Sequence, residues 1–366
     1  MKFSVARSEL TDALSVASRG LSARSTLPIL SGILVSCSPG QVKLQTTDLE
    51  VSVRTQVAGL VEEEGQAVLP GRLFSDIVRS MPEAAINVSV DKDVAVVSSS
   101  NASFTLKTLP ADDFPKFPEV TVDKKVSLPA DVVTSMVRQV SRAVSRDETR
   151  AILTGVLLSI EGHTVRMVAT DSYRLAVREV LLDEALSDTI EVVVPGKALE
   201  EVTKLLGGND KLELGVSENQ IVCAFGDTTF VTRRIEGSFP NYKQLLPKET
   251  ETRVRVSSEE VTAAVKRVSL MAQHNTPLRL SVHADDQTLS LSANTQDVGD
   301  ASEDLMAKVD GPDVEIAFNH TFLMDGLSSV STEDTVLEIV SPLKPGIIKP
   351  GDAEDYLYLL MPVRLG

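Results

Sequence analysis

Three arginines, Arg138, Arg142 and Arg146, recur at four-residue spacing among apolar residues (Val133, Met136, Val137, Val140, Ala143, Val144) that mark one face of a helix. No acidic residue lies between Val132 and Arg146, so the arginines repel one another along the helix with no carboxylate between them. That face is either a solvated helix surface or a stripe suited to an extended anion, such as a phosphate backbone contacted without reading bases. A second stretch, Ala169 to Val177, reads Ala-Thr-Asp-Ser-Tyr-Arg-Leu-Ala-Val. Asp171 beside Ser172 and Tyr173 could be drawn as an active site, but nothing supplies a matching base. No two glycines are separated by one residue, and Gly196-Lys197 is followed by Ala198, so dinucleotide, nucleophile-elbow and phosphate-loop motifs are missing. His163, His274, His283 and His320 are scattered without metal-ligand spacing, and there is no Cys-x-x-Cys. The reading is a binding protein rather than an enzyme, with no metal and no cofactor.

The bulk properties narrow the partners. A net charge of -16 argues against adhesion to nucleic acid over the whole surface, although it does not say where the charges sit. Ten Phe, four Tyr, no Trp and no interleaving of aromatic with basic residues leave no stacking platform for single strands. The longest apolar run, Tyr356 to Val363, is too short to span a bilayer, and Met1 to Arg7 leads into a polar helix without a signal-peptide core, which implies a cytoplasmic protein. Cys37 and Cys223 sit in strand-like contexts and read as small core residues.

The elements that must position these residues recur. Thr47-Asp48 echoes Thr170-Asp171, with a weaker relative at Asn294-Thr295-Gln296-Asp297. Pro70-Gly71-Arg72-Leu73, Pro195-Gly196-Lys197-Ala198 and Phe318-Asn319-His320 each open a helix-like run, and the first such run of each third starts near Ser8, Ala130 and Ser258. Leu109 to Pro115 has a counterpart in Phe239-Pro240-Asn241-Tyr242. The shared period is roughly 124 residues, three of which nearly exhaust the chain and each of which is long enough for a core of its own. The expected domains are 1–121, 122–249 and 250–366.

Within the thirds, hydrophobic patterning predicts helices over Ser8–Leu21, after Pro70, from Ala130 through Arg146, after Pro195, over Val261–Val268 and over His320–Val330. Strands are expected at Gln41–Thr46, Val51–Val57, Ile86–Val90, Val94–Ser98, Ser103–Thr108, Val156–Glu161, Thr164–Ala169, Tyr173–Leu181, Leu278–His283 and Gln287–Ala293. The class is α+β with antiparallel sheets. The apolar tail from Tyr356 is either the last strand of a sheet or half of a binding groove, and both can hold. Two helices per third on one face give six, which at ~10 Å each close a circle leaving only about 9 Å free. Twelve helices from two chains leave about 28 Å, enough for a duplex of roughly 20 Å. A ring around duplex DNA must therefore be a dimer, and a head-to-tail arrangement would pair its exposed sheet edges.

Met1-Lys-Phe, Thr26-Leu-Pro-Ile-Leu30, Thr47-Asp48-Leu49-Glu50, Leu109-Pro-Ala-Asp-Asp-Phe114-Pro, Ala169-Thr-Asp-Ser-Tyr-Arg-Leu-Ala176, Phe239-Pro-Asn-Tyr242 and Met361-Pro-Val-Arg-Leu365 resemble, in collinear order, the bacterial DNA polymerase III beta subunit family of sliding clamps. The resemblance implies the DNA clamp fold: a ring-shaped head-to-tail homodimer of three-domain protomers, each domain with two helices on the inner face and antiparallel sheets outside. Its partners would be sequence-independent double-stranded DNA, the catalytic subunit of the replicative polymerase, the clamp loader, and other polymerases and repair proteins carrying short clamp-binding motifs.

Carried over by position, the partner-peptide groove would use Leu153, Thr170, Ser172, Tyr173, Arg174, Leu175, Pro240, Leu245, Leu359, Met361, Pro362, Val363 and Arg364. Many members of the family have Gly-His where this chain has Ser172-Tyr173, so the bulkier Tyr173 is expected to gate or narrow the slot. The DNA-facing candidates are Arg24, Arg146, Arg142, Arg138, Lys197, Arg72, Arg79 and Arg150, and dimer contacts would join Phe104 and Leu106 to Leu270 and Met271. Two rival readings stand beside the clamp: a β-rich adaptor that docks peptides without encircling DNA, and an enzyme whose site none of these motifs marks.

Overall fold

The computed structural model describes residues 1–22, 27–272, 276–296 and 298–364, which form two compact units. The first comprises residues 1–133 and 197–234, the second residues 134–196 and 235–366. Compactness follows the sheets rather than the period of the sequence. In the first unit an eight-stranded antiparallel sheet runs in the spatial order Lys124–Pro129, Lys211–Val216, Gln220–Phe225, Thr228–Arg233, Val51–Ala58, Gln41–Thr47, Gly32–Ser38 and Gly65–Pro70. Strands from two sequence thirds thus share one hydrogen-bonded ladder. The seam mixes apolar and polar pairs: Val53 and Phe230 pair in the core, buried Thr55 and Thr228 hydroxyls meet at 3.1 Å, and at the surface the Gln56 side chain donates to Asp227 at 2.8 Å. A five-stranded sheet, Leu60–Glu63, Lys2–Ala6, Ala85–Asp91, Val94–Ser99 and Ala102–Lys107, completes this unit.

Helices α1 (Arg7–Ala17) and α2 (Gly71–Ser80) pack on each other and bury Leu10, Ala13, Leu14, Ala17, Phe74, Ile77 and Val78 in a core with Phe3, Ile33, Leu44, Leu69, Ile86 and Val97. Each of these helices exposes its remaining stripe, as an amphipathic helix over a sheet must. Both cysteines are free and buried, as the sequence reading expects, and burial pushes the Cys37 thiol up to about 11.

The second unit is built around a nine-stranded antiparallel sheet in the order Ile190–Pro195, Gly155–Glu161, Thr164–Thr170, Arg174–Leu181, Tyr356–Leu360, Gly346–Pro350, Asp334–Ile339, Thr252–Ser257 and Lys308–Asp310. The apolar tail is therefore a central strand. Tyr356, Tyr358, Leu359 and Leu360 are all buried, while Arg178 pairs with Asp355 at one end of the seam. A four-stranded sheet, Gly299–Met306, Thr288–Thr295, Leu278–His283 and Val314–Phe318, lies in the same unit. Helices α5 (Ser258–Val268) and α6 (His320–Leu327) pack together. Asn319 caps α6 by accepting from the Thr321 and Phe322 amides. Gly326 lets α6 close on the sheet, since a Cβ there would lie 2.6 Å from the Tyr358 ring.

Helices α3 (Ala130–Val140) and α4 (Gly196–Leu205) follow the expected positions, with one correction. The predicted run through Arg146 stops at Val140, passes through a 3-10 turn at Ser141–Ala143 and becomes extended at Val144. Arg138 alone of the three arginines is on the helix, Arg142 is on the turn, and Arg146 lies beyond. Local apolar spacing continues past Val140, but the backbone leaves the helix so that the Ser145 amide can donate to the Leu153 carbonyl at 2.9 Å. Similarly, α1 ends at Ala17 in a 3-10 turn and α6 at Leu327. No helix among the described residues is long and apolar enough to cross a membrane.

Because α6 rests against Tyr358 through Gly326, Gly326→Ala is expected to lower the unfolding free energy by about 1–3 kcal/mol in a denaturant titration. An unchanged midpoint would mean that α6 can back away from the sheet without cost.

Candidate functional site

The Thr-Asp echo is a turn built twice. In the first unit the Thr47 hydroxyl accepts from the Leu49 amide and donates to the Val51 carbonyl, and Asp48 Oδ1 accepts from the Glu50 and Val51 amides at 3.0 and 2.7 Å. In the second unit the Thr170 hydroxyl accepts from the Ser172 amide and donates to the Arg174 carbonyl, while Asp171 Oδ1 accepts from the Tyr173 and Arg174 amides at 2.9 and 3.0 Å. Short polar side chains capture local amides in this way because they reach back to them without straining the chain. Both turns hold a non-glycine residue at positive φ, Leu49 at 78° and Ser172 at 81°. That conformation explains why glycine suits the position.

The turn in the second unit carries a charged side chain to an unexpected place. The Arg174 guanidinium is only 10% exposed; its Nε lies 3.0 Å from Asp171 Oδ2 and its Nη1 2.5 Å from Asp325 Oδ2. The same Nη1 is 3.2 Å from the Tyr358 hydroxyl, which donates to the Phe322 carbonyl at 3.0 Å. Burial alone would weaken the charge, but Tyr358, Asp325 and Asp171 together hold Arg174 above the ordinary guanidinium value. Its plane lies 4.3 Å over the Phe322 ring, whose other neighbour is Tyr173, stacked at 6.4 Å between centroids. The expected groove-rim arginine is thus the buried hub behind an aromatic wall. Burial also pushes the Tyr358 hydroxyl well above the usual tyrosine range, so it stays protonated as a donor.

Strand pairing brings the tail to this wall. Leu175 pairs with Leu359 and Arg174 with Leu360, and the Met361 amide donates to the Tyr173 carbonyl at 2.9 Å. Leu175 and Leu359 are buried with Val168, Val177 and Tyr242, against partly buried Leu157, Phe239, Leu246 and Leu357. Over this apolar floor the structure leaves Tyr173, Leu245 and Met361 at 61%, 48% and 41% exposure, with Pro240 exposed beside Tyr242. Leu153 is buried, Ser172 is exposed, Thr170 serves the turn, and Pro362 and Val363 are half-buried, with the Val363 amide donating to Ala317. Arg364 is exposed at an open polar trough of about 510 Å³ that Arg279, Asn294 and Asp300 also line. Asp171 was marked in the sequence only by the Thr-Asp echo and as an active-site residue without a base; Phe322, Asp325 and Tyr358 were not singled out, since the three-residue spacing of Phe322 and Asp325 on α6 shows a shared face and not what that face meets.

The basic candidates divide. Arg72, Arg79, Arg138 and Arg146 are exposed and pair with no carboxylate among the described residues. Arg142 Nη1 lies 3.1 Å from Asp325 Oδ1. Arg150 pairs with Asp147 at 3.1 Å and donates to the Ser172 hydroxyl and Asp171 carbonyl, so it braces the turn. Lys197 is exposed near the start of α4, and Arg24 lies outside the described residues. Of the expected dimer residues, Phe104 and Leu270 are exposed, Met271 is half-buried, and Leu106 belongs to the core of its own unit. The strand holding Phe104 is a sheet edge, as is Gly299–Met306.

Asparagine at position 171 can still accept the two amides, whereas alanine cannot. Asp171→Ala should therefore lower the unfolding free energy by about 1 kcal/mol more than Asp171→Asn in chemical denaturation. Equal losses would show that the ion pair with Arg174, not the turn, holds the segment.

The comparisons with known proteins agree with one another along the chain. Residues 1–118, 127–241 and 243–364 match the models of the N-terminal, central and C-terminal domains of the DNA polymerase III beta subunit. A beta sliding clamp of Streptomyces coelicolor is 38% identical over the full length of both chains, and one of Staphylococcus aureus is 30% identical over 100% of this chain and 99% of its own. Among solved structures, the sliding clamp of Bacillus subtilis superposes with a TM-score of 0.95 at 29% identity, and a Pseudomonas aeruginosa sliding clamp bound to griselimycin with 0.94 at 29%, each covering both chains completely. Three consecutive domain matches of one kind and full-length relatives lead to one assignment: the chain belongs to the DNA polymerase III beta subunit family, the beta sliding clamps.

Proposed function

We infer that this protein is a DNA sliding clamp, a processivity factor that encircles duplex DNA and tethers the replicative polymerase through an apolar peptide groove. The observation that carries the reading is the succession of three clamp domains over residues 1–364. The function is non-catalytic and its setting is the cytoplasm. The ring is a head-to-tail homodimer of domains 1–121, 122–249 and 250–366. It closes by pairing the sheet edge at Phe104 with the region of Leu270 and Met271 in the partner, which removes two exposed edges from each chain.

Duplex DNA is held by enclosure. A net charge of -16 discourages adhesion to the outer surface, while unpaired Arg72, Arg79, Arg138 and Arg146 offer phosphate contacts that carry no sequence information. Lys197, exposed near the start of α4, and Arg24, outside the described residues, are further phosphate-contact candidates from the family resemblance, whereas Arg142 and Arg150 already have partners within the protein. The groove is the slot floored by Leu175 and Leu359 and rimmed by Tyr173, Leu245 and Met361, which suits a short extended apolar peptide. Peptides of this kind would come from the catalytic polymerase subunit, the clamp loader, and other polymerases and repair proteins. Griselimycin, held by the Pseudomonas relative, is the natural small probe for it.

Loaded onto nicked circular duplex, the protein should remain bound through gel filtration and leave promptly when the circle is linearised. Equal loss from circles and linear DNA would favour the adaptor that docks peptides without enclosing DNA. Arg138→Glu with Arg146→Glu should shorten retention on circles at unchanged melting temperature, because both side chains are exposed and neither pairs with a carboxylate among the described residues. In the groove, Met361→Ala is expected to weaken griselimycin binding about tenfold by calorimetry, as truncation of a large apolar side chain that a ligand covers does. Unchanged affinity would move the slot elsewhere.

A further inference from the structure

Asp325 has two carboxylate oxygens and gives one to each of two arginines. Oδ2 is 2.5 Å from Arg174 Nη1 and Oδ1 is 3.1 Å from Arg142 Nη1. Arg174 stands behind the Phe322–Tyr173 wall of the groove, while Arg142 is 43% exposed on the turn that ends α3. We propose that Asp325 is a positioning residue that couples the groove to polyanion binding: whatever draws Arg142 away leaves the carboxylate to Arg174 alone. The proposal rests on the clamp reading, which supplies the duplex that would compete for Arg142.

The direction follows from the contacts. A phosphate pairing with Arg142 removes one of the two cations that share the Asp325 charge. The whole carboxylate then attracts Arg174, whose guanidinium holds Phe322 by its face and whose backbone neighbour Tyr173 stacks on that same ring. Phe322 and Asp325 lie three residues apart on α6, so both sit on one helical face, and Tyr358 ties that face to the sheet by donating to the Phe322 carbonyl. The duplex would therefore stiffen the groove wall before a peptide arrives, and a wall already ordered binds more tightly because less is lost on binding. The coupling is reciprocal, so an occupied groove would also strengthen the hold on DNA.

The test is an anisotropy titration of a fluorescein-labelled peptide bearing Leu and Phe side chains onto the full-length protein, with and without saturating short duplex at low ionic strength. In the unaltered protein the duplex should tighten peptide binding about fivefold. In Arg142→Gln the peptide affinity without DNA should already match the duplex-saturated value, and duplex should add less than about twofold. In Asp325→Asn binding should be weaker, and duplex should have no effect on it. If that variant fails to fold, Arg142→Gln alone decides, since it replaces an exposed side chain. An unaltered protein that binds both ligands with no change in peptide affinity, or with weaker affinity on duplex, overturns the coupling and leaves the clamp reading intact. Failure to bind peptide with or without duplex, together with equal loss from circular and linear DNA, overturns both.

Discussion

The pairing of Arg174–Arg178 with Tyr356–Leu360 is the constraint on which the second unit depends. It makes the last strand among the described residues a central member of a nine-stranded sheet, paired on its other side with Gly346–Ile348, and takes its apolar side chains out of water. The pairing also does the work of a site. It sets Leu175 against Leu359 as a floor, brings Met361 to Tyr173, and places Tyr358 where its hydroxyl reaches both Arg174 and the backbone of α6. A binding surface made from a core strand is rigid because moving it would break the sheet.

The corresponding seam in the first unit shows what the site requires beyond geometry. Val51 pairs with Thr232 as Arg174 pairs with Leu360, and the Arg233 amide donates to the Glu50 carbonyl as the Met361 amide does to Tyr173. The backbone is the same, but the side chains are not. Glu50 and Arg233 stand where Tyr173 and Met361 do, 3.7 Å apart as an ion pair, and Ser52 stands where Leu175 does. The same turn serves both seams, but the second is apolar where the first carries an ion pair and a serine. The repeated Thr-Asp signature is therefore a mark of turn chemistry, and the two seams differ in the residues beside it.

Charge is placed with similar economy. On a chain of net charge -16, Arg72, Arg79, Arg138 and Arg146 are exposed and pair with no carboxylate among the described residues, while Arg142 and Arg150 pair at the surface with Asp325 and Asp147 and Arg174 is buried against Asp171 and Asp325. The first group is free to meet phosphates at little internal cost, because no buried acid is left behind when they do. The second group is different: each member is tied to the turn or to α6, so a ligand that engages one also acts on the groove.

The strands with clear alternation, the helix starts, the apolar tail, the buried cysteines and the family itself could be read from the sequence, because hydrophobic period, turn residues and motif order are local properties, whereas strands such as Gly32–Ser38 and Gly346–Pro350 were not. The strands at Gln41–Thr47, Val51–Ala58, Leu278–His283 and Thr288–Thr295 lie within a residue or two of where their alternation placed them. What the sequence could not supply were partners. That Arg174 reaches Asp325 across 151 positions, that Arg142 shares the same acid, that Leu106 turns into its own core, and that α3 gives way at Val140 to satisfy an amide near Leu153 all depend on sheet register and packing. Periodicity says which face of an element is apolar; only the tertiary fold decides what that face meets, because ion pairs and strand neighbours are chosen by distance in space and not along the chain.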